Sequence, residues 1–225
     1  MRKEVAILEK VSLFHGILPE DLESILTCLD AKVREYGKNQ SIKMAGDKFN
    51  SLGIVISGNV QITREDIMGN RTIVASLIEG EIFGETFACA GIEVSPVSIY
   101  SLGPSKILWV SIKKIVTTCS SSCDFHSLLI QNLLQLLATK NMYLNNKMDL
   151  LSRRSTREKV MAYLISQADS QKSDRFAIPL NRNELADYLC IDRSAMSREL
   201  GKLREEGIIE FHKNSFHILE FTVSE

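Results

Sequence analysis

No apolar run in this 225-residue chain approaches the roughly 18 residues that a membrane span requires. The opening decapeptide MRKEVAILEK has neither the apolar core nor the cleavage site of a secretory signal. A cytoplasmic protein with no membrane partner is the expectation. Cysteine is sparse: five residues, an odd count without the density of a disulfide scaffold, which suits a reducing compartment. An excess of either charge sign is also missing. The formal net charge is −1, and from Ser152 onward twelve Lys and Arg balance twelve Asp and Glu. Bulk basicity therefore cannot attract nucleic acid, and any such affinity must come from local placement of charge. Signatures of catalysis are absent: there is no phosphate-cradling glycine loop, no nucleophile elbow and no convergent His/Asp/Ser set. The four histidines, His15, His126, His212 and His217, are scattered. An enzyme is not expected.

What the chain does have is concentrated between Leu180 and Gly207, LNRNELADYLCIDRSAMSRELGKLREEG. Asn181 and Glu184 have the capping-box spacing and predict a helix over Arg182 to Leu189, with Leu185, Ala186 and Leu189 inward. Cys190 and Ile191 make a turn. Asp192 is placed to cap a second helix, Arg193 to Glu206, in which Met196, Leu200 and Leu203 recur at helical spacing and must face a core. Its opposite surface carries Arg193, Ser194, Ser197, Arg198 and Gly201. Small residues allow close approach, and arginine forks match phosphates and guanine edges. Gly207 then ends the helix, and IIEFHKNSFHIL reads as two short strands around Lys213-Asn214-Ser215. The pattern is a helix-turn-helix with a β-hairpin wing, and Lys202 and Lys213 extend its cationic side. Glu199, Glu205 and Glu206 can lie away from the groove. The competing reading is a generic helical hairpin with a solvated charged face.

Upstream, Val5 to Leu13 suits a short helix that ends at Phe14-His15-Gly16-Ile17. Pro19 opens another, PEDLESILTCL, with acids in its first turn. From Tyr36 to Val110 short apolar runs alternate with Gly37, Gly46, Gly53, Gly58, Gly69, Gly80 and Gly84, the texture of an all-β roll or sandwich. Met68-Gly69-Asn70 is a hairpin-turn candidate, and Pro96 and Pro104 mark edges or turns. From Ser111 the pattern becomes helical. A long helix follows, about Cys123 to Leu151, in which Ile130, Leu134, Leu137, Asn141, Leu144, Met148 and Leu151 alternate spacings of four and three. This is a heptad seam with a polar residue at an a position, and it favours a homodimer over packing on the chain's own β domain. Asn132, Gln135, Lys140 and Asn145 are expected to face solvent. Ser152-Arg153-Arg154-Ser155 interrupts the helix, and Ser155 or Thr156 caps the next one, TREKVMAYLISQAD. Phe176-Ala177-Ile178 is a short strand.

This order resembles the Crp/Fnr family of bacterial transcription regulators along nearly the whole chain. The residues that carry the resemblance are SLGIVISGNVQI with DIMGNRTIVASLIEGEIFGE, the long helix, TREKVMAYL and LADYLCIDRSAMSRELGKLREEGII. It implies an α+β chain: an N-terminal double-stranded β-helix or jelly roll of the cyclic-nucleotide-binding kind (1–122), a dimerisation helix (123–151) and a C-terminal winged helix-turn-helix (152–225). It also implies sequence-specific binding to a palindromic operator in double-stranded DNA, with RNA polymerase as a further candidate partner. The family's recognition helix typically carries an arginine, an acid and a second arginine; Arg193, Ser194 and Arg198 match these positions, with serine replacing the acid. Ser197-Arg198 matches a branch that reads DNA through a serine–arginine pair, so a changed base preference is expected.

In cyclic-nucleotide members a Gly-Glu pair holds the ribose and an Arg-Ser pair holds the cyclic phosphate. Gly84 and Glu85 match the first pair. The second falls near Ser95-Pro96, and no arginine occurs between Ile78 and Tyr100. A buried phosphate without a cation pays a large desolvation cost, which argues against cyclic AMP. Another small molecule could use a pocket between the roll and the helix, near Gly84, Glu85, Ser95 and Asn141. Iron–sulfur members carry several N-terminal cysteines, and here only Cys28 is available, which argues against a cluster. Cys119, Cys123 and His126 have soft-ligand spacing without a fourth ligand; the alternative is inert cysteines beside a surface histidine. A second function class remains open at this point: a small-molecule sensor without direct DNA readout.

Overall fold

The computed structural model describes residues 6–69, 71–117 and 124–219. They form two compact units, one up to Thr139 and the other from Lys140. In the first unit, residues 6–8 are helical, a 3-10 turn covers Ser12–Phe14 and helix α1 spans Pro19–Cys28. Pro19 stands in the first turn of α1 with Glu20 and Asp21, where a missing N–H costs nothing and negative charge meets the positive helix end.

Eight strands follow: β1 (Lys32–Tyr36), β2 (Ser41–Lys43), β3 (Ser51–Ser57), β4 (Val60–Glu65), β5 (Arg71–Leu77), β6 (Ile82–Phe83), β7 (Ser98–Ser101) and β8 (Ser105–Ser111). They make two antiparallel four-stranded sheets, ordered β1-β8-β3-β6 and β2-β7-β4-β5. The roll thus begins at Lys32, ahead of the glycine-rich texture, because the KVREY strand is exposed and contains no glycine. Short helices α2 (Glu85–Cys89) and α3 (Ile112–Val116) interrupt and close it.

The twofold alternation of a strand explains how β3 and β8 serve two cores. Leu52, Ile54 and Ile56, with Leu108 and Val110, pack toward the helices beside Leu13, Phe14, Leu22 and Leu29. Val55 and Ile107 pack between the sheets with Val60, Ile99, Phe49 and Phe83. The inter-sheet space is filled by aromatic rings: Phe83–Trp109 and Phe49–Phe87 meet edge to face at 5.5 and 5.8 Å. Two glycines make room for these rings. A Cβ on Gly53 would lie 2.2 Å from the Phe83 ring, and one on Gly84 2.3 Å from Phe49.

Helix α4 runs without a break over Asp124–Ser152. Its first half packs on the roll side through Leu129 and Leu133. Asn132, expected in solvent, is instead buried, and its Nδ2 donates to the carbonyls of Leu13 (3.0 Å) and His15 (2.8 Å). These carbonyls belong to the turn that ends the first helical segment, where few backbone donors are available. The other side of α4 is open: Leu134, Leu144 and Met148 are 62, 63 and 67 % exposed. Of the other residues in the heptad pattern, Ile130 is half-buried, Leu137 leans on the roll-side core and Asn141 is exposed.

The second unit contains α5 (Thr156–Gln171), β9 (Arg175–Ala177), α6 (Arg182–Leu189), α7 (Arg193–Glu205), β10 (Ile209–His212) and β11 (Ser215–Ile218). Ser155, not Thr156, caps α5, in a capping box with Glu158. The wing turn is Lys213-Asn214 alone, because Ser215 already pairs with His212 and Ala177. Lys147 of α4 donates to the Tyr188 carbonyl and sits over the Tyr188 ring, which ties the end of the long helix to α6. Burial, then a hydrogen bond with Tyr143, pushes the Tyr188 hydroxyl up to about 12.

Gly53→Ala should lower stability by about 1–3 kcal/mol, since the added methyl overpacks against Phe83. Phe83→Leu in the same chain should recover part of that loss in a double-mutant cycle of denaturation midpoints. Strictly additive losses would mean that the glycine serves some other purpose.

Candidate nucleic-acid interface

Helices α6 and α7 are set by their caps. The Asn181 side chain accepts from the amides of Asn183 (2.9 Å) and Glu184 (3.1 Å), and Glu184 returns a carboxylate to the Asn181 amide at 2.8 Å. Cys190 ends α6 in the left-handed conformation with φ 50°. Two residues later Asp192 caps α7 by accepting from the Ala195 amide at 2.9 Å. Met196, Leu200 and Leu203 are buried in one core with Val160, Leu164, Leu185 and Leu189. That burial fixes the rotation of α7, so Arg193, Ser194, Ser197, Arg198 and Lys202 are all exposed on its other side, with Gly201 half-buried. Lys213 is exposed at the wing turn, with φ 51°.

Two arginines that the sequence reading did not single out hold this face in place. Arg157 of α5 forks onto the Glu206 carboxylate and reaches Glu199 at 3.3 Å. It thereby occupies two of the three acids of this helix region. Glu206, hydrogen-bonded to Arg157, is held below the usual carboxylate range. Arg182, at the start of α6, donates to the Lys213 carbonyl at 2.8 Å and lies over the Phe211 and Phe216 rings at 5.1 and 5.0 Å. It braces the wing tip against the helix pair, and burial pushes its guanidinium below the ordinary value. Arg204 lies over Phe211 from the α7 side at 5.2 Å.

Ser194 is the position where the family pattern has an acid. Its hydroxyl donates to Asp192 Oδ1 at 2.5 Å. This hydrogen bond, then the Ala195 amide, holds the Asp192 carboxyl below its ordinary value.

The effector positions have definite places too. Gly84 has φ +80° and precedes α2 beneath the Phe49 ring. Glu85 opens α2 and is buried. Ser95 is buried, and its hydroxyl donates to the Val97 carbonyl at 2.7 Å. Asn141 is in the other unit, where it accepts from Asn145 Nδ2 at 2.7 Å. Cys119 and Cys123 lie outside the described residues, as do Val5 and Asn70. His126 is buried, not at the surface. Among the described residues no group of three or more His, Cys, Asp or Glu is placed to hold a metal. Among them, too, no helix is long and apolar enough to cross a membrane.

A capped helix pair with a buried inner face, an exposed arginine–serine outer face and a braced hairpin defines a winged helix-turn-helix DNA-binding protein, here carried with a β-roll sensor unit. Family models match both parts: a Crp-like helix-turn-helix domain over residues 158–222 and a cyclic nucleotide-binding domain over residues 33–122. The chain is 26 % identical over 219 residues to the cyclic AMP receptor protein of Thermus thermophilus, covering 95 % of this chain and 94 % of that one. It is 24 % identical to the transcriptional activator protein FnrL of Cereibacter sphaeroides, over 84 % of this chain and 77 % of the relative. The crystal structure of the Thermus thermophilus catabolite activator protein superposes with a TM-score of 0.54 at 26 % identity, over 92 % of this chain and 93 % of that one. The chain belongs to the Crp/Fnr family; it is a DNA-binding transcription regulator with a sensor domain, not an enzyme.

The Asp192 cap carries a pH signature. A carboxyl whose folded-state pKa is depressed stabilises the fold above its unfolded value, about 3.9 for Asp, and that contribution is lost as the pH falls through the folded value. Asp192→Asn keeps a capping oxygen but does not titrate. The wild type should therefore exceed the variant in denaturation midpoint at neutral pH, with the gap closing below about pH 4. NMR signals of Met196 and Leu200 report on this unit, and a gap independent of pH would remove Asp192 from the acid response.

Proposed function

We propose that the regulator works as a homodimer. In this reading Arg193, Ser194, Ser197 and Arg198 of each copy read base edges in successive major grooves, and Lys202 and Lys213 contact phosphates. The observation that carries it is the outer face of α7: its inner face is committed to the core, and the outer one is exposed, small and cationic. Two such helices about 34 Å apart imply a palindromic operator. Pairing would use the heptad seam Ile130, Leu134, Leu137, Asn141, Leu144 and Met148, of which Leu134, Asn141, Leu144 and Met148 are exposed and Ile130 and Leu137 half-buried. Residues 1–122 are then the sensor, 123–151 the dimer helix and 152–225 the DNA-binding part of a cytoplasmic protein. Relatives named as transcriptional activators make RNA polymerase the proposed protein partner. One relative is named as a receptor for cyclic AMP. Residues 78–100 here lack an arginine for a cyclic phosphate, so a different small molecule or a redox change is the proposed signal.

Selection of bound sequences from a random pool should return an inverted repeat. Arg198→Ala should cost about 1–3 kcal/mol of specific binding and relax one position per half-site. Lys213→Ala should weaken all sequences alike and reduce the salt slope by about one. Unchanged base preference in Arg198→Ala would place the reading face elsewhere.

The seam has its own test. Leu144→Asp combined with Met148→Asp should convert the dimer to monomer in sedimentation velocity and abolish operator binding, while the winged unit keeps its NMR spectrum. A dimer that survives both charges rules out this side of α4.

A further inference from the structure

Strand β1 is the edge of its sheet, and its pairing with β8 fixes where its side chains lie. Lys32 stands opposite Trp109, Arg34 opposite Ile107 and Tyr36 opposite Ser105. Ile107 packs between the two sheets, so strand alternation puts Lys32, Arg34 and Tyr36 on the inter-sheet side as well. A charged strand thus faces the mouth of the roll. That mouth is a cavity of about 280 Å³ between β1 and β2, the edge of the other sheet, with Lys43, Phe49 and Trp109 also in its wall. Gly84, Glu85 and Ser95 are not among the residues that line it.

The wall has two chemical parts. One is aromatic. Phe49 and Trp109 meet edge to face at 6.4 Å, and the Trp109 indole N–H donates to the Tyr36 hydroxyl at 3.0 Å. The other part is ionic, with Lys32, Arg34 and Lys43 set against Asp30 and Asp47. Lys32 pairs with Asp30 at 3.2 Å, Lys43 donates to the Lys48 carbonyl at 2.8 Å, and Asp47 accepts from the Met44 amide at 2.8 Å. Arg34 is exposed and has no ion pair or side-chain hydrogen bond among the described residues. Three cations against two acids leave one positive charge unmatched.

An arginine fork meets a carboxylate through two parallel N–H···O bonds, each stronger than a bond between neutral groups. A flat ring finds favourable offset or edge-to-face partners among aromatic side chains. The single unmatched charge favours a monoanion over a phosphate dianion. Size narrows the choice further: a cavity of about 150 Å³ accepts benzene, so this one suits roughly nine to twelve heavy atoms.

We propose that the mouth of the roll binds a small planar aromatic carboxylate, with Arg34 as its fork and Tyr36, Phe49 and Trp109 as the wall for its ring. Binding there depends neither on the α4 seam nor on the DNA contacts of α7.

Trp109 is the only tryptophan of the chain, so its emission reports on this wall. Benzoate and benzamide are suitable probes, alike in size and shape and differing in charge. Titrated into the full chain, benzoate should change the Trp109 emission saturably, with a Kd below about 1 mM. Benzamide should bind at least about tenfold more weakly, the worth of a charge-assisted hydrogen bond. Arg34→Gln should bring benzoate down to the benzamide level and leave the melting temperature unchanged, since this side chain has no partner to lose. Lys10→Gln removes an exposed cation elsewhere in the same unit and should not alter benzoate binding. If Arg34→Gln aggregates, the benzoate to benzamide ratio in the wild type decides the matter. Equal affinity of the two probes, benzoate binding unchanged in Arg34→Gln, or an equal loss in Lys10→Gln would overturn the proposal. So would an emission that benzoate does not move, which would leave the β1 charges as protection of an edge strand against pairing.

Discussion

Burial of Met196, Leu200 and Leu203 is the constraint on which the exposed face of α7, the proposed DNA-reading surface, depends. A helix has one rotational freedom about its axis once it is docked, and three apolar side chains at i, i+4 and i+7 remove it. What the helix shows to the outside is then whatever the sequence places at the remaining positions. Here that is Arg193, Ser194, Ser197, Arg198 and Lys202. The DNA-binding part carries no net charge excess, so the cationic face is made by sorting charge, not by accumulating it. Arg157 draws Glu199 and Glu206 toward α5. The charges of these acids are thereby offset by a cation from α5, and Arg193 and Arg198, the proposed reading arginines, stand exposed on α7.

The same logic governs the long helix, with a different outcome. Leu129, Asn132 and Leu133 face the core of their own unit, and the side carrying Leu134, Leu144 and Met148 remains open. A helix with apolar residues on both sides can serve two cores; the one within its own unit takes Leu129 and Leu133, and the second belongs to the proposed dimer. The two asparagines divide accordingly. Asn132 is satisfied inside its unit by the Leu13 and His15 carbonyls, an arrangement that pins the phase of the first half. Asn141 stands exposed, in the proposed seam.

Elements whose causes are local were legible in the sequence. The caps Asn181 and Asp192 and the apolar spacing of α6 and α7 act within a few residues, and each occurs where spacing alone placed it; at α5 spacing left Ser155 and Thr156 as alternatives, and the capping box with Glu158 selects Ser155. The glycine-punctuated roll was legible as a class, although its strand order was not. The residues that went unread have distant partners. Asn132 bonds 119 residues away, Arg157 42 and 49 away, and Arg182 31 away. Nothing in the neighbourhood of a polar side chain in sequence marks such a partner, and a polar residue on an amphipathic helix defaults to the solvent face. His126 misled for the same reason: its carbonyl partner, Lys114, lies on another helix, α3.

Ser194 shows how a local interaction modifies a remote function. A serine hydroxyl has one proton and two lone pairs. Here the proton is engaged by Asp192, the residue that caps the same helix. In the proposed reading, what Ser194 offers a base edge is therefore its lone pairs. An acceptor meets the exocyclic amino group of cytosine or adenine and not the carbonyl of guanine or thymine. The serine thus keeps the acceptor sense of the acid it replaces, on a shorter side chain and without the charge. The Asp192 charge sits one residue before the helix, at its positive end, where it orients the hydroxyl and caps the backbone at once. Cap and reading face are in this way one hydrogen-bonded unit.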